Sequence, residues 1–203
     1  MKKFISFAAY QREATLKKVH YEVVDNSRLE YEKTCFPIIP VINGYLEAGE
    51  EFQIIVITPE QEDTIRNCTV LREEIKELCA KKQIIFEEEK QFKVISVAYA
   101  DDIDTQLDTF RKVIKELQSE DEIYACISYG SKPAEIVELM ALRYARQIRE
   151  NVFIGCIVYG KVDWRRTDLA WIYDVTALVH LDDIIQTISG MENPDNLMEN
   201  LTI

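Results

Sequence analysis

The sequence predicts an α/β, Rossmann-like fold, with a mainly parallel sheet and helices on both faces. Two observations support this prediction. Strand-like apolar runs alternate with helical patterns along the chain, as they do in βαβ units. The two most apolar runs, Glu122–Ser128 and Val152–Tyr159, are typical of central strands that are buried on both faces. With 203 residues, the chain is long enough for one sizeable core.

The strands are predicted from short apolar or β-branched runs that are bounded by turn residues. In chain order they are Lys3–Ala9, Val19–Asp25, Phe52–Thr58, Phe92–Ala98, Glu122–Ser128, Val152–Tyr159 and Leu169–Tyr173. A further short run, Leu29–Tyr31, is predicted to join Val19–Asp25 in a β-excursion, because turn residues at 25–27 separate the two. Residues 161–168 are predicted to form a charged loop.

The helices are predicted between these strands, and the clearest of them repeat their apolar residues at every third or fourth position. In chain order they are Phe36–Leu46, Glu60–Lys81, Ile103–Leu117, residues 133–149 and Thr176–Ser189. Three acids, Asp101, Asp102 and Asp104, are better explained as a cap on the helix that starts at Ile103 than as ligands of a divalent ion. The run Glu87–Glu89 is interpreted as a solvated helix end or loop.

The composition limits the partners of the protein. A net charge of −12 and a pI near 4.7 argue against long nucleic acid and an anionic membrane surface as partners. No apolar run is long enough to cross a bilayer. The five cysteines are odd in number and form no C-x-x-C pair, so Cys126 and Cys156 are predicted to be reduced core residues of a cytoplasmic protein.

Small and polar residues follow the predicted strands at the edge where an open α/β sheet binds its ligands. After the first strand come Ala9, Tyr10 and Gln11. The small side chains at this position let a ligand approach the backbone, and the tyrosine ring can stack on a base. This loop is therefore predicted to form part of a nucleotide-like site.

The turn Ser128-Tyr129-Gly130-Ser131-Lys132 carries the strongest signal for a ligand, because it places unpaired N–H groups, two serine hydroxyls and a lysine before a helix. The same residues fit a capped helix start, with Ser131 as N-cap and Pro133 in the first turn, and both interpretations use the same N–H groups. Neither a P-loop nor a G-x-G-x-x-G fingerprint is present. His20 and His180 are interpreted as structural, and no metal or cofactor is predicted.

Three segments of the sequence carry a family resemblance when they are taken together. They are Phe4-Ile5-Ser6-Phe7 with its small-residue loop, the turn at 128–133 before an apolar helix, and Ile157-Val158-Tyr159-Gly160. This combination resembles CARF domains, the CRISPR-associated Rossmann-like sensor domains of type III immunity. The segment Tyr173-Asp174-Val175-Thr176 is similar to the Asp-x-Thr segment before their final helix. Many relatives have Asp-x-Thr-x-Gly where this chain has Cys126-Ile127-Ser128-Tyr129-Gly130.

The resemblance implies that residues 1–189 bind a cyclic oligoadenylate, a cyclic tetra- or hexa-adenylate, at a homodimer interface. A two-fold dimer can present the same loops to both halves of an even-numbered ring. Phosphates would meet the N–H groups of the turn, and a tyrosine ring would stack on adenine. The implied ligand-binding residues are Ala9, Tyr10, Gln11, Ser128, Tyr129, Gly130, Ser131 and Lys132.

Three functions stay open at this point. The first is an allosteric sensor of a type III CRISPR antiviral effector, which is favoured because the loops lack a histidine or an acid–base pair. The second is a metal-independent ring nuclease, in which a 2′-hydroxyl attacks its adjacent phosphodiester. The third is a generic Rossmann-like nucleotide-binding protein. Residues 190–203 have linker composition, so a C-terminal effector is expected either to be fused beyond them or to be absent.

Overall fold

A seven-stranded sheet forms the centre of the computed structural model, which describes residues 1–163, 165–166 and 169–188. Its strands are β1 (Lys2–Phe7), β2 (Tyr21–Val23), β3 (Phe52–Pro59), β4 (Phe92–Val97), β5 (Glu122–Cys126), β6 (Phe153–Val162) and β7 (Ala170–Asp174). They are ordered β2-β7-β6-β5-β1-β3-β4 across the sheet. β1, β3, β4, β5 and β6 are mutually parallel, and β7 is antiparallel to β6. β2 is parallel to β7 at the edge.

Helices cover both faces of this sheet. They are α1 (Ile38–Tyr45), α2 (Glu62–Lys81), α3 (Glu88–Gln91), α4 (Ile103–Glu116), α5 (Lys132–Ile148) and α6 (Thr176–Ile188). α1 and α2 pack on one face, where Phe4 and Leu71 are buried. α4, α5 and α6 contribute to the core on the opposite face, which includes Ile5 and Leu142. This arrangement confirms the predicted Rossmann-like α/β fold.

Two local predictions are wrong. Leu29–Tyr31 does not form a strand, because the Asn26 side chain accepts a hydrogen bond of 3.2 Å from the backbone N–H of Arg28 and starts a 3₁₀ turn over Ser27–Leu29. The charged loop does not begin at residue 161, because β6 continues to Val162 and pairs there with β7. The acidic run before β4 contains the short helix α3, as one of the two interpretations of that run anticipated.

Helix α4 turns a polar face toward the core. Gln106 and Thr109 are buried, whereas Ile103 is 70% exposed and Leu107 is 42% exposed. The apolar spacing that predicts this helix therefore marks its buried face only in the second half, where Leu117 is fully buried. There the ring of Phe110 packs against the core and meets an α5 tyrosine edge-on at 5.7 Å.

All five cysteines are buried and free, which confirms the prediction made for Cys126 and Cys156. No helix in the described part of the chain is long and apolar enough to cross a membrane. The predicted linker at 190–203, and the last residue of the predicted final helix, Ser189, lie outside the described residues.

Candidate functional site

The candidate site lies where the direction of strand addition reverses. After β1 the chain forms the edge strand β2, adds β3 and β4 on one side of β1, and then crosses over to add β5 and β6 on the other side. β1 and β5 are neighbours, the helices that follow them, α1 and α5, cover opposite faces of the sheet, and the loops after both strands border a crevice. The predicted ligand-binding residues lie in these two loops, at 9–11 and 128–132.

The loop after β1 is held in place by α2. The buried amide of Asn67 donates from Nδ2 to the carbonyl oxygens of Ala9 at 2.8 Å and Gln11 at 2.7 Å. Arg66 donates to the same Gln11 carbonyl at 3.0 Å and is paired with Asp63 at 2.6 Å. The Ala9 side chain is itself fully buried. These contacts fix the backbone on which Tyr10 is mounted.

The turn after β5 is tied to the neighbouring strands. The Ser128 hydroxyl oxygen accepts a hydrogen bond of 2.7 Å from the N–H of Gly160 on β6. Tyr129 donates its hydroxyl proton to the carbonyl oxygen of Cys35 at 2.8 Å. Burial raises the pKa of Tyr129 well above its ordinary value, so this hydroxyl stays protonated. Both side chains therefore have a structural role in positioning the turn.

The start of α5 presents unpaired hydrogen-bond donors. Ser131 is the N-cap and accepts a 3.4 Å hydrogen bond from Ala134 N–H, as predicted. Gly130 has a φ of +123°, a backbone conformation that side chains with a Cβ rarely adopt. The backbone N–H groups of Gly130 and Lys132 donate no hydrogen bond to another described residue. These N–H groups, together with the helix dipole, can bind an anion, and Lys132 is exposed beside them.

A cavity of about 450 Å³ opens between this turn and the ends of β1 and β4. Its walls include Tyr10 and Tyr99, whose ring centroids are 5.9 Å apart and whose planes are tilted by 45°. Gly130 and Ser131 form the side nearest α5, and Gln106 contributes from α4. The cavity is therefore partly aromatic and lies directly beside the unpaired N–H groups.

The electrostatic environment differs between the cavity wall near Asp101 and the backbone N–H groups of the turn. Asp101 accepts a hydrogen bond from the Ser131 hydroxyl, which makes this wall acidic. Burial first, then Tyr99, then Asp101 raise the pKa of Tyr10 to about 12, so its hydroxyl is a proton donor at neutral pH. An anionic group is thus better placed at the N–H groups of the turn, and a neutral planar group is better placed inside the cavity.

A second, smaller cavity of about 180 Å³ lies on the opposite side of the β1 loop. Gln11 and Tyr129 line it together with apolar residues that include Leu16 and Val162. Tyr10, Gly130 and Ser131 line the larger cavity, so five of the eight predicted residues lie at one of the two cavities. Ala9, Ser128 and Lys132 line neither of them.

The predicted acidic cap on α4 is confirmed. Asp102 is the N-cap, and its carboxylate accepts the backbone N–H of Thr105 at 3.0 Å. That hydrogen bond is the largest cause that lowers the pKa of Asp102. Among the described residues, no group of three or more histidine, cysteine, aspartate or glutamate side chains is arranged to hold a metal ion.

Sequence reasoning missed the contribution of α4 to the larger cavity. Gln106 and Thr109 line it, and they are buried together with Val113. The available signal was their spacing of three and four residues, which places two polar side chains on one helix face with an apolar residue. The chain matches no protein-family model, and no curated protein matches it either. Its function is therefore inferred from the geometry of this edge of the sheet.

Proposed function

We propose that this chain binds a cyclic oligoadenylate, of tetra- or hexa-adenylate size, as a homodimeric CARF-type sensor of type III CRISPR immunity. One observation carries the proposal: an aromatic-lined cavity of about 450 Å³ lies beside unpaired backbone N–H groups at the start of α5. A nucleotide needs both features, since its base stacks on aromatic rings and its phosphate accepts hydrogen bonds from N–H groups.

Exposed apolar side chains near the cavity favour a second copy of the chain as partner. Ile103 and Leu107 on α4 are exposed, and so are Ile136 and Met140 on the adjacent helix α5. Apolar residues that a monomer leaves exposed on adjacent helices are typical of an interface. A two-fold axis at this surface would bring two identical cavities to one even-numbered ring.

The charges on α4 are self-complementary. Its exposed surface carries Asp104 and Asp108 in the first half, followed by Arg111 and Lys115 in the second half. If α4 packs antiparallel against its copy, the acids of one helix face the bases of the other. This arrangement favours association through the same surface.

The proposal is tested by incubating the purified protein with cyclic tri-, tetra- and hexa-adenylate. Binding is measured by calorimetry, and the ligand is followed by chromatography. We expect tight binding of one ring size with the ligand intact. Conversion to a linear product would identify a ring nuclease instead, and binding of mononucleotides alone would identify a generic nucleotide-binding protein. The family interpretation fails if no cyclic oligoadenylate binds.

Lys132 provides the site-specific part of this test. Lys132→Ala removes an exposed ammonium group beside the unpaired N–H groups, so we expect binding to weaken by about 1–3 kcal/mol through loss of a charge-assisted contact. The matched control is Lys81→Ala, at an exposed lysine in the last turn of α2. Equal affinities of wild type and Lys132→Ala would remove Lys132 from the site.

A further inference from the structure

Gln106 presents a buried hydrogen-bond acceptor that has no partner among the described residues. The residue is 7% exposed and lines the larger cavity. Its Nε2 donates to the carbonyl oxygen of Ala100 at 3.2 Å. This bond fixes the orientation of the amide, because a half-turn would set Oε1 against that carbonyl. Oε1 is buried and accepts no hydrogen bond from any described residue. Such an acceptor is unfavourable unless a ligand supplies the donor.

The other walls of the cavity suit a flat ring. Phe7 and Val97 are buried and contribute apolar surface. The rings of Tyr10 and Tyr99 are set at an angle to each other at the side. The protonated hydroxyl of Tyr10 adds a donor to the acceptor that Gln106 supplies. One acceptor and one donor on an apolar background match an amino group next to a ring nitrogen.

We infer that this cavity selects a base with an exocyclic amino group, which is adenine in the proposed ligand, and that Gln106 determines this specificity through Oε1. The identity of the base rests on the proposed function. The adenine amino group donates to Gln106 Oε1, and a ring nitrogen of the base accepts from Tyr10. A base that carries a carbonyl oxygen in place of the amino group is rejected, because that oxygen and Oε1 are both acceptors and cannot form a hydrogen bond.

The wild-type protein gives the first test. Binding is measured for the cyclic adenylate, tetra- or hexa-adenylate, that binds more tightly, and for the cyclic inosinate of the same size, in which a carbonyl replaces each amino group. We expect the cyclic adenylate to bind about 10- to 100-fold more tightly than the cyclic inosinate, in line with the cost of an unpaired buried acceptor. Equal affinities for the two rings would overturn the inference without any variant being made.

Gln106→Met gives the second test, because methionine has similar length and suits a helix but offers no comparable acceptor. We expect adenine binding to fall about 10- to 100-fold while inosine binding changes little, so that the selectivity is lost. Lys81→Met, at an exposed position in the last turn of α2, is the control, and it should keep the selectivity. Circular dichroism establishes whether each variant is folded, and an unchanged selectivity in a folded Gln106→Met would overturn the inference.

A mononucleotide pair separates this inference from the proposed function. AMP and IMP differ by the same amino and carbonyl groups, and neither requires a dimer. If neither cyclic tetra- nor hexa-adenylate binds but AMP is preferred over IMP, the proposed function is wrong and the assignment of Gln106 stands. If a cyclic adenylate binds and neither pair of ligands is discriminated, the proposed function stands and the assignment of Gln106 is wrong. If no cyclic adenylate and no mononucleotide binds, both are wrong.

Discussion

Glu138 makes the stability of this protein depend on pH. Its side chain on α5 is fully buried, and neither carboxyl oxygen has a hydrogen-bond partner in the described part of the chain. Burial, followed by the negative charge of Glu135, raises the pKa of Glu138 well above its ordinary value. The folded protein therefore holds a neutral carboxylic acid. The unfolded chain carries a carboxylate above about pH 4.3.

The sign and size of the effect follow from proton linkage. Because the pKa of Glu138 is higher in the folded state, unfolding above about pH 4.3 releases one proton. The stabilisation is fully present below that pH and is lost as the pH rises toward the folded-state pKa. One proton corresponds to about 1.4 kcal/mol of unfolding free energy for each pH unit in the window above the unfolded-state pKa and below the folded-state pKa.

We expect Glu138→Gln to remove this contribution. The unfolding free energy of the variant minus that of wild type should then rise with pH in this window, by about 1.4 kcal/mol for each pH unit. The size of this difference at any single pH also includes the cost of burying the glutamine amide without hydrogen-bond partners, which does not depend on pH. Urea denaturation at each pH measures the difference, and Glu89→Gln on an exposed position of α3 is the control. The reasoning is refuted if wild type and Glu138→Gln show the same pH dependence.

Substitutions of Asn67 and Gly130 test the contacts that position the two loops of the candidate site. Asn67→Ala leaves the carbonyls of the β1 loop without their buried donor and should cost about 2–3 kcal/mol in urea denaturation; an effect no larger than that of the exposed Thr69→Ala control would contradict this. Gly130→Ala forces a Cβ into a backbone with φ of +123°, 3.3 Å from a ring carbon of Phe7. We expect it to cost about 1–3 kcal/mol of stability and to weaken ligand binding. The control is Gly49→Ala, at φ of +88° in open space, which should be strained without affecting ligand binding. If both variants bind the ligand equally well, the turn at Gly130 is not part of the binding site.

The sequence was sufficient to predict the α/β class, because strand and helix periodicities are local properties. The cap at Ser131 and the acidic start of α4 were also predictable, since N-caps use residues within one turn. Asn67 could not be predicted, because the carbonyls it binds lie 56 and 58 residues away in the chain. No pattern within α2 indicates such a contact.

Gln106 illustrates a different limit. Helical spacing identifies an apolar stripe on α4, which includes Ile103 and Leu107, and a stripe of this kind is usually turned to the core. In the fold, both of these residues are exposed while Gln106 is buried. Which face a helix buries depends on its neighbours in three dimensions, and local periodicity does not contain that information.

The hydrogen bond between the Ser128 hydroxyl and the Gly160 amide gives the ligand-facing turn a mechanical connection to the rest of the sheet. Gly160 lies so close to Pro37 that an added Cβ would stand 2.2 Å from the proline ring. β6 is therefore closely packed at this point, and its backbone has no free space into which it could shift if the turn were displaced. β6 pairs with β7, and Asp174 at the end of β7 accepts a hydrogen bond of 3.0 Å from the N–H of Thr176 in the first turn of α6. The turn beside the candidate site is therefore part of a continuous set of hydrogen bonds that extends across two strands to the last described helix.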